Sequence, residues 1–187
     1  MSSNFERYRY QNQLSFGSKL KRFIWRFIWL VAFRPTPSWC MDRWRLALLK
    51  LFGAKFGQGC RIAPSVRVWA PWNLSMGDYV CLAEGVDCYS VSPIEISSKA
   101  TVSQRAFLCS ASHEISSLSR PLIHSPISIK EHAWVCAEAF IGAGITINKG
   151  AVVGARAVVT KDVDAWAVVA GNPAKFVKTR VINEPNA

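Results

Sequence analysis

Three histidines, His113, His124 and His132, are the side chains of this sequence that ordinarily exchange a proton near neutral pH. A neutral imidazole within hydrogen-bond reach of a hydroxyl takes its proton as the oxygen attacks, typically contributing ~10²–10⁴ in rate. His113 is the candidate base: it lies in the segment SASHE at 110–114, where a regular pattern breaks off and the irregular stretch from Glu114 to Pro126 begins. Such a base needs an acceptor on its other ring nitrogen to fix the tautomer. Glu114 is adjacent, although neighbours in an extended chain point to opposite faces. Glu84, one coil earlier in the pattern, could face the same cleft, so either carboxylate could orient His113 or hold a substrate. His124, inside the irregular stretch, and His132, at a turn of the repeat, read as ordinary solvated histidines.

A zinc site would need ligands that converge, and histidines at 113, 124 and 132 do not recur at the repeat length, so no metal is expected. The six cysteines (Cys40, Cys60, Cys81, Cys88, Cys109, Cys136) form no CxxC pair. That usage, and an N-terminus without the order of a cleavable signal peptide, point to reduced thiols in the cytoplasm. Cys109 lies four residues before His113, which suggests a nucleophile, but a half-buried inert thiol is the commoner role.

The element that must carry His113 is a hexapeptide repeat. Every sixth residue from Ile129 is a branched aliphatic: Ile129, Val135, Ile141, Ile147, Val153, Val159. Four positions after each comes a second inward site, occupied by Ala133, Ala139, Ile145, Ala151, Ala157 and Val163. Upstream, Met76 and Leu82 begin one set and Ile96, Val102 and Leu108 another, with Val80, Val86, Ala100, Ala106 and Ser112 at the fourth-following sites. Each set is introduced by an aliphatic two residues earlier, in Leu74-x-Met76, Ile94-x-Ile96 and Ile127-x-Ile129, so the coil restarts three times. A period of six fits neither the 3.6 of a helix nor the 2 of a strand. It predicts short flat strands joined by tight turns, three to each coil of a triangular prism.

Ahead of the repeat the texture changes. Eleven of the 23 basic residues, but only Glu6 and Asp42 among the acidic ones, fall in the first 60 positions of a 187-residue chain with net charge +11. The run from Lys19 to Phe33 interleaves cations with Phe, Ile and Trp, which predicts an amphipathic helix suited either to packing on the protein or to a membrane surface. Arg26 divides it, so it is too short to span. Arg34-Pro35-Thr36-Pro37 stops that helix, and Trp39 to Phe52 predicts a second, ended by Gly53. Nucleic acid is not an expected partner.

The repeat, with SASHE (110–114), AWVCAEAFIGAGITI (133–147), AVVGARAVVTKDV (151–163) and AGNPAKFVK (170–178), resembles the hexapeptide acetyltransferases. It is most similar there to the galactoside and maltose O-acetyltransferase group, and above all to the acetyltransferases of exopolysaccharide biosynthesis of the colanic-acid type. The resemblance covers roughly residues 50–180 and implies an all-β fold: a left-handed parallel β-helix at 60–164 with an outward loop at 114–126, an N-terminal helical extension at 1–59 and a C-terminal cap at 165–187.

It implies transfer of acetyl from acetyl-coenzyme A to a sugar hydroxyl with His113 as general base and no covalent role for Cys109. A nucleotide-linked amino sugar acylated on nitrogen is the alternative. Small residues at Ala137, Gly142, Gly154 and Ala155 would let turn amides approach the pantetheine arm. By resemblance, Trp134 lies beside the acetyl end, Ala155, Thr160 and Lys161 line the cofactor path, and Lys175 and Lys178 meet the phosphates. The galactoside-type enzymes carry an asparagine near the position of Glu84, and this departure bears on the acceptor. The family also implies a homotrimer with each site shared between two subunits. The acceptor would be a soluble nucleotide sugar or, if the helices touch the inner membrane, a lipid-linked glycan.

Overall fold

A computed structural model describes residues 15–183. The first coil comprises β1 (Lys55–Phe56), β2 (Arg61–Ile62) and β3 (Arg67–Val68), and the second β4 (Leu74–Met76), β5 (Cys81–Leu82) and β6 (Asp87–Tyr89). The third has β7 (Ile94–Ile96), β8 (Thr101–Val102) and β9 (Phe107–Cys109), followed by β10 (Ala111–His113) and β11 (Leu122–His124). The fourth has β12 (Ile127–Ile129), β13 (Trp134–Val135) and β14 (Phe140–Ile141), and the fifth β15 (Thr146–Ile147), β16 (Val152–Val153) and β17 (Val158–Val159). β18 (Ala167–Ala170) and β19 (Lys175–Thr179) close the chain.

Strands stack coil on coil into three parallel faces, with β1-β4-β7-β12-β15 on the first, β2-β5-β8-β13-β16-β18 on the second and β3-β6-β9-β14-β17 on the third. Each inward aliphatic sits over its equivalent. Ile62, Leu82, Val102, Val135 and Val153 form one such column, Leu108, Ile141 and Val159 part of another, all essentially inaccessible. Flat pleated strands covered on the inner face favour these branched side chains.

The three restarts all fall on the first face. Register partners there step by 20 residues from Leu74 to Ile94, by 33 from Ile94 to Ile127 and by 18 from Ile129 to Ile147. An 18-residue coil is three hexapeptides, so the early coil carries a short insertion, and the third carries the excursion that holds His113. The parallel ladder begins at Lys55 and runs to Val169.

The excursion differs from the expected irregular loop. β10 and β11 form an antiparallel hairpin with His113 opposite Leu122. Ser112, expected to point inward, is exposed because the chain has already left the prism. Buried Ser110 occupies the departure point, accepting from Ser92 N at 2.9 Å and donating to Tyr89 O at 2.8 Å.

Corner turns repeatedly place a residue at positive φ, among them Lys99, His132, Arg105, Glu138 and Arg156. Gly150 has φ +68°, and a Cβ there would lie 2.5 Å from the Trp166 ring that covers it.

Helix α1 (Phe16–Ile28) starts on a Ser15 cap, and its last turn widens to a π segment over Trp29–Phe33. One face packs on the prism, where Trp25 Nε1 donates to Val68 O at 2.7 Å and Trp29 Nε1 to Val66 O at 2.8 Å. The opposite face leaves Phe16, Phe23 and Phe27 largely exposed. Helix α2 (Asp42–Leu51), shorter than the expected 39–52, contacts the first coil. Its buried Arg45 donates to Ile62 O at 2.7 Å and Pro37 O at 2.9 Å, and pairs with Asp42 at 2.9 Å. At the far end β19 runs antiparallel to β18, and Arg180 Nη1 donates to His132 O and Gly150 O, both at 3.0 Å.

Candidate active site

His113 is presented on the hairpin that leaves the edge between the third and first faces. Its Nδ1 lies 2.7 Å from the backbone carbonyl of Arg120. A carbonyl only accepts, so Nδ1 carries a proton, and in the neutral imidazole the lone pair is then on Nε2. The turn is fixed by Glu114 N donating to Pro121 O and Arg120 N to Ser117 O, both at 3.0 Å. Within one chain neither expected carboxylate is bonded to the imidazole. Glu114 instead accepts from Ser116 N at 3.0 Å and Ser116 Oγ at 2.7 Å, and these bonds hold its carboxyl below the usual range. Glu84 is exposed on the edge between the second and third faces, a different edge from the hairpin's.

The remaining candidates divide between the same two edges. Gly142, Thr160 and Lys161 follow β14 and β17 on the edge that carries His113. Ala137, Gly154 and Ala155 follow β13 and β16 on the second–third edge, beside Trp134 on the second face. Trp134 is 44% exposed, its Nε1 donating to Ser103 Oγ at 2.8 Å. At Gly154 a Cβ would lie 3.0 Å from Ala170 Cβ and 3.1 Å from Val169 O, so the groove there has no room for a side chain. Lys175 and Lys178 stand exposed on β19, after the Gly171 turn and the cis Asn172–Pro173 peptide. One prism therefore does not bring His113 together with Trp134, Ala137, Gly154 and Ala155. About six residues of strand and turn separate neighbouring edges, up to ~20 Å.

The prism is also that of known enzymes. No family profile matches the sequence. The chain is 38% identical over 168 residues to the colanic acid biosynthesis acetyltransferase WcaF of Escherichia coli K12, covering 90% of this chain and 92% of the relative. The chain belongs to the hexapeptide-repeat acetyltransferases. Among solved structures, a hexapeptide-repeat acetyltransferase of Vibrio cholerae complexed with acetyl-coenzyme A superposes with TM-score 0.81 at 21% identity, covering 94% of this chain and 95% of that one. A maltose O-acetyltransferase of Clostridium difficile 630 gives 0.76 at 22%, covering 90% of each. The fold of this hexapeptide-repeat acetyltransferase is accordingly the left-handed parallel β-helix.

In the acetyltransferase the Cys109 thiol is half-buried, Sγ lying 3.1 Å from Ala111 O, and burial pushes its pKa up, which disfavours the thiolate. Among the described residues no three His, Cys, Asp or Glu side chains are grouped to hold a metal ion. Two features went unread in the sequence. The Arg120 carbonyl has no signature, since any residue supplies one. The ladder Arg105–Glu138–Arg156 does: Glu138 pairs with both arginines on the second–third edge, and all three occupy equivalent left-handed turn positions.

Proposed function

We infer that the protein transfers acetyl from acetyl-coenzyme A to a hydroxyl of a sugar in exopolysaccharide synthesis, with His113 as base. The observation that carries this is the Nδ1 contact with the Arg120 carbonyl, which leaves Nε2 as the accepting nitrogen. The acceptor hydroxyl gives its proton to Nε2 while its oxygen attacks the thioester carbonyl. The C–S bond then breaks, and the imidazolium returns the proton to the departing thiolate. Glu84, at a second–third edge, and Glu114, at the hairpin, are assigned to the acceptor side rather than to the imidazole.

Because Trp134, Ala137, Gly154 and Ala155 lie on a different edge from His113, we assign the complete site to two neighbouring prisms of a homotrimer. The third–first edge of one subunit would meet the second–third edge of the next. Trp134, Ala137, Gly154 and Ala155 would border the acetyl and pantetheine portion, and Thr160 and Lys161 the path beyond. Lys175 and Lys178 would meet the phosphates.

Among the described residues no helix is long and apolar enough to cross a membrane. The outward face of α1 and its π extension spaces Phe16, Leu20, Phe23, Phe27 and Leu30 at helical intervals, with Lys19 and Arg26 exposed alongside. That pairing of apolar and cationic groups supports a cytoplasmic protein that touches the inner membrane surface peripherally.

The test is thiol release from acetyl-coenzyme A by wild type and His113→Ala, against a panel of nucleotide sugars, amino sugars and lipid-linked glycans. At least a hundredfold loss in the variant, with acetyl-coenzyme A binding retained, is expected. Equal turnover by both proteins would remove His113 from the mechanism.

A further inference from the structure

Away from the residues assigned to acetyl-coenzyme A, a cavity of about 520 Å³ opens between α1 and the third face. Four guanidiniums line it, Arg22, Arg26 and Arg34 from the helical segment and Arg67 from β3, against the single carboxylate of Asp87 on β6. Among the described residues none of the four arginines has a carboxylate within 4.0 Å. Arg22 stacks its guanidinium 4.1 Å from the centroid of the Trp69 ring, and Arg34 lies 5.5 Å from that of Trp29. The Arg22 Nε is buried with no hydrogen-bond partner. A buried charged donor left without an acceptor is costly, and a bound anion would satisfy it.

We propose that this pocket binds the diphosphate of the acetyl acceptor, the group that joins the sugar to its nucleotide or polyisoprenyl carrier. Guanidinium forks match the paired oxygens of phosphate esters, and the three-charge excess in the pocket suits a dianion. Position agrees with this. The pocket walls belong to coils one and two and the His113 hairpin leaves coil three, about 5–10 Å further along the prism at ~4.8 Å per coil. Tyr89 in the pocket wall pairs across the sheet with Cys109, four residues before His113. The fourth and fifth coils and the strands β18 and β19 beyond them, which carry the residues assigned to acetyl-coenzyme A, lie on the other side of the hairpin. Leu30 lines the pocket and also belongs to the exposed apolar stripe of the helical segment, so a lipid carrier could continue outward from the same mouth.

The assignment of the ligand as acceptor rests on acetyl transfer at His113, so binding and turnover are tested separately. Inorganic pyrophosphate is titrated calorimetrically into the full-length wild type, Arg67→Gln and Arg22→Gln/Arg67→Gln. Affinity should fall at least fivefold in the single variant and more in the double, with melting temperature and acetyl-coenzyme A affinity preserved in the single variant. Arg67 is exposed and does not seat α1, so that variant remains informative if the double fails to fold.

Turnover is then compared for one sugar supplied as a uridine diphosphate ester, as a polyisoprenyl diphosphate ester and as a neutral methyl glycoside. At least a tenfold lower KM for one or both diphosphates, diminished by Arg67→Gln and competed by pyrophosphate, supports the proposal and identifies the carrier. Absence of pyrophosphate binding by folded wild type overturns the pocket. Equal KM for all three sugars overturns its role in acceptor recognition. Absence of thiol release with every acceptor would count against acetyl transfer instead, while the calorimetry still judges the pocket.

Discussion

His113 is oriented by the backbone of Arg120, whose carbonyl oxygen lies 2.7 Å from Nδ1, and not by a carboxylate. Such an orienter is neutral and insensitive to pH, and substitution of the Arg120 side chain does not remove it. Arg120 sits at φ +46°, so Arg120→Gly should retain kcat within about threefold. Arg120→Pro should lower kcat by about tenfold or more, because proline fixes φ near −65° and deletes the N–H bonded to Ser117 O. Steady-state kinetics with unchanged circular dichroism checks both.

Glu114→Gln tests the same geometry from the other side. Its carboxylate bonds Ser116, not the imidazole, so the substitution should leave the pH dependence of kcat/KM in place. A shift in the acid limb of that profile, where the base gains its proton, would assign Glu114 to the base.

Cys109→Ser should keep kcat within about threefold, since a half-buried thiol with a raised pKa is a poor nucleophile. Quenched-flow mass spectrometry of the wild type should show no acetylated Cys109.

Core and corner substitutions should separate by mechanism. Leu108→Ala opens a cavity in a fully buried column and should cost about 2–5 kcal/mol, read from denaturant midpoints. Gly150→Ala should also destabilise, because its φ of +68° and the Trp166 ring 2.5 Å from the added Cβ both oppose it.

Glu138 gives a pH-dependent contribution. Arg156 and then Arg105 lower its pKa in the folded protein. Its stabilisation is therefore complete above the ordinary carboxylate value near ~4.3 and is lost as pH falls through the depressed folded value. Glu138→Gln should show a flatter melting temperature against pH in that acid range, and added salt should narrow the difference from wild type.

How far the sequence reaches is clear from particular residues. The six-residue spacing from Ile129 to Val159 already specifies coils, inward columns and turns, because each inward position is selected by burial alone and stacks on its own equivalent. His113 was marked by the break in that spacing, and the helices by charge and apolar residues interleaved near the N-terminus. Ser112 was misplaced because periodicity does not report where the chain leaves the prism. The Arg120 carbonyl could not be read at all, since every residue carries the same backbone acceptor. Likewise the convergence of Arg22, Arg26, Arg34 and Arg67 depends on how α1 docks, which the Trp25 and Trp29 bonds to Val68 and Val66 decide. Periodic burial is a local property written residue by residue. The direction of a carbonyl and the meeting of distant cations belong to the folded chain, and only tertiary structure decided them.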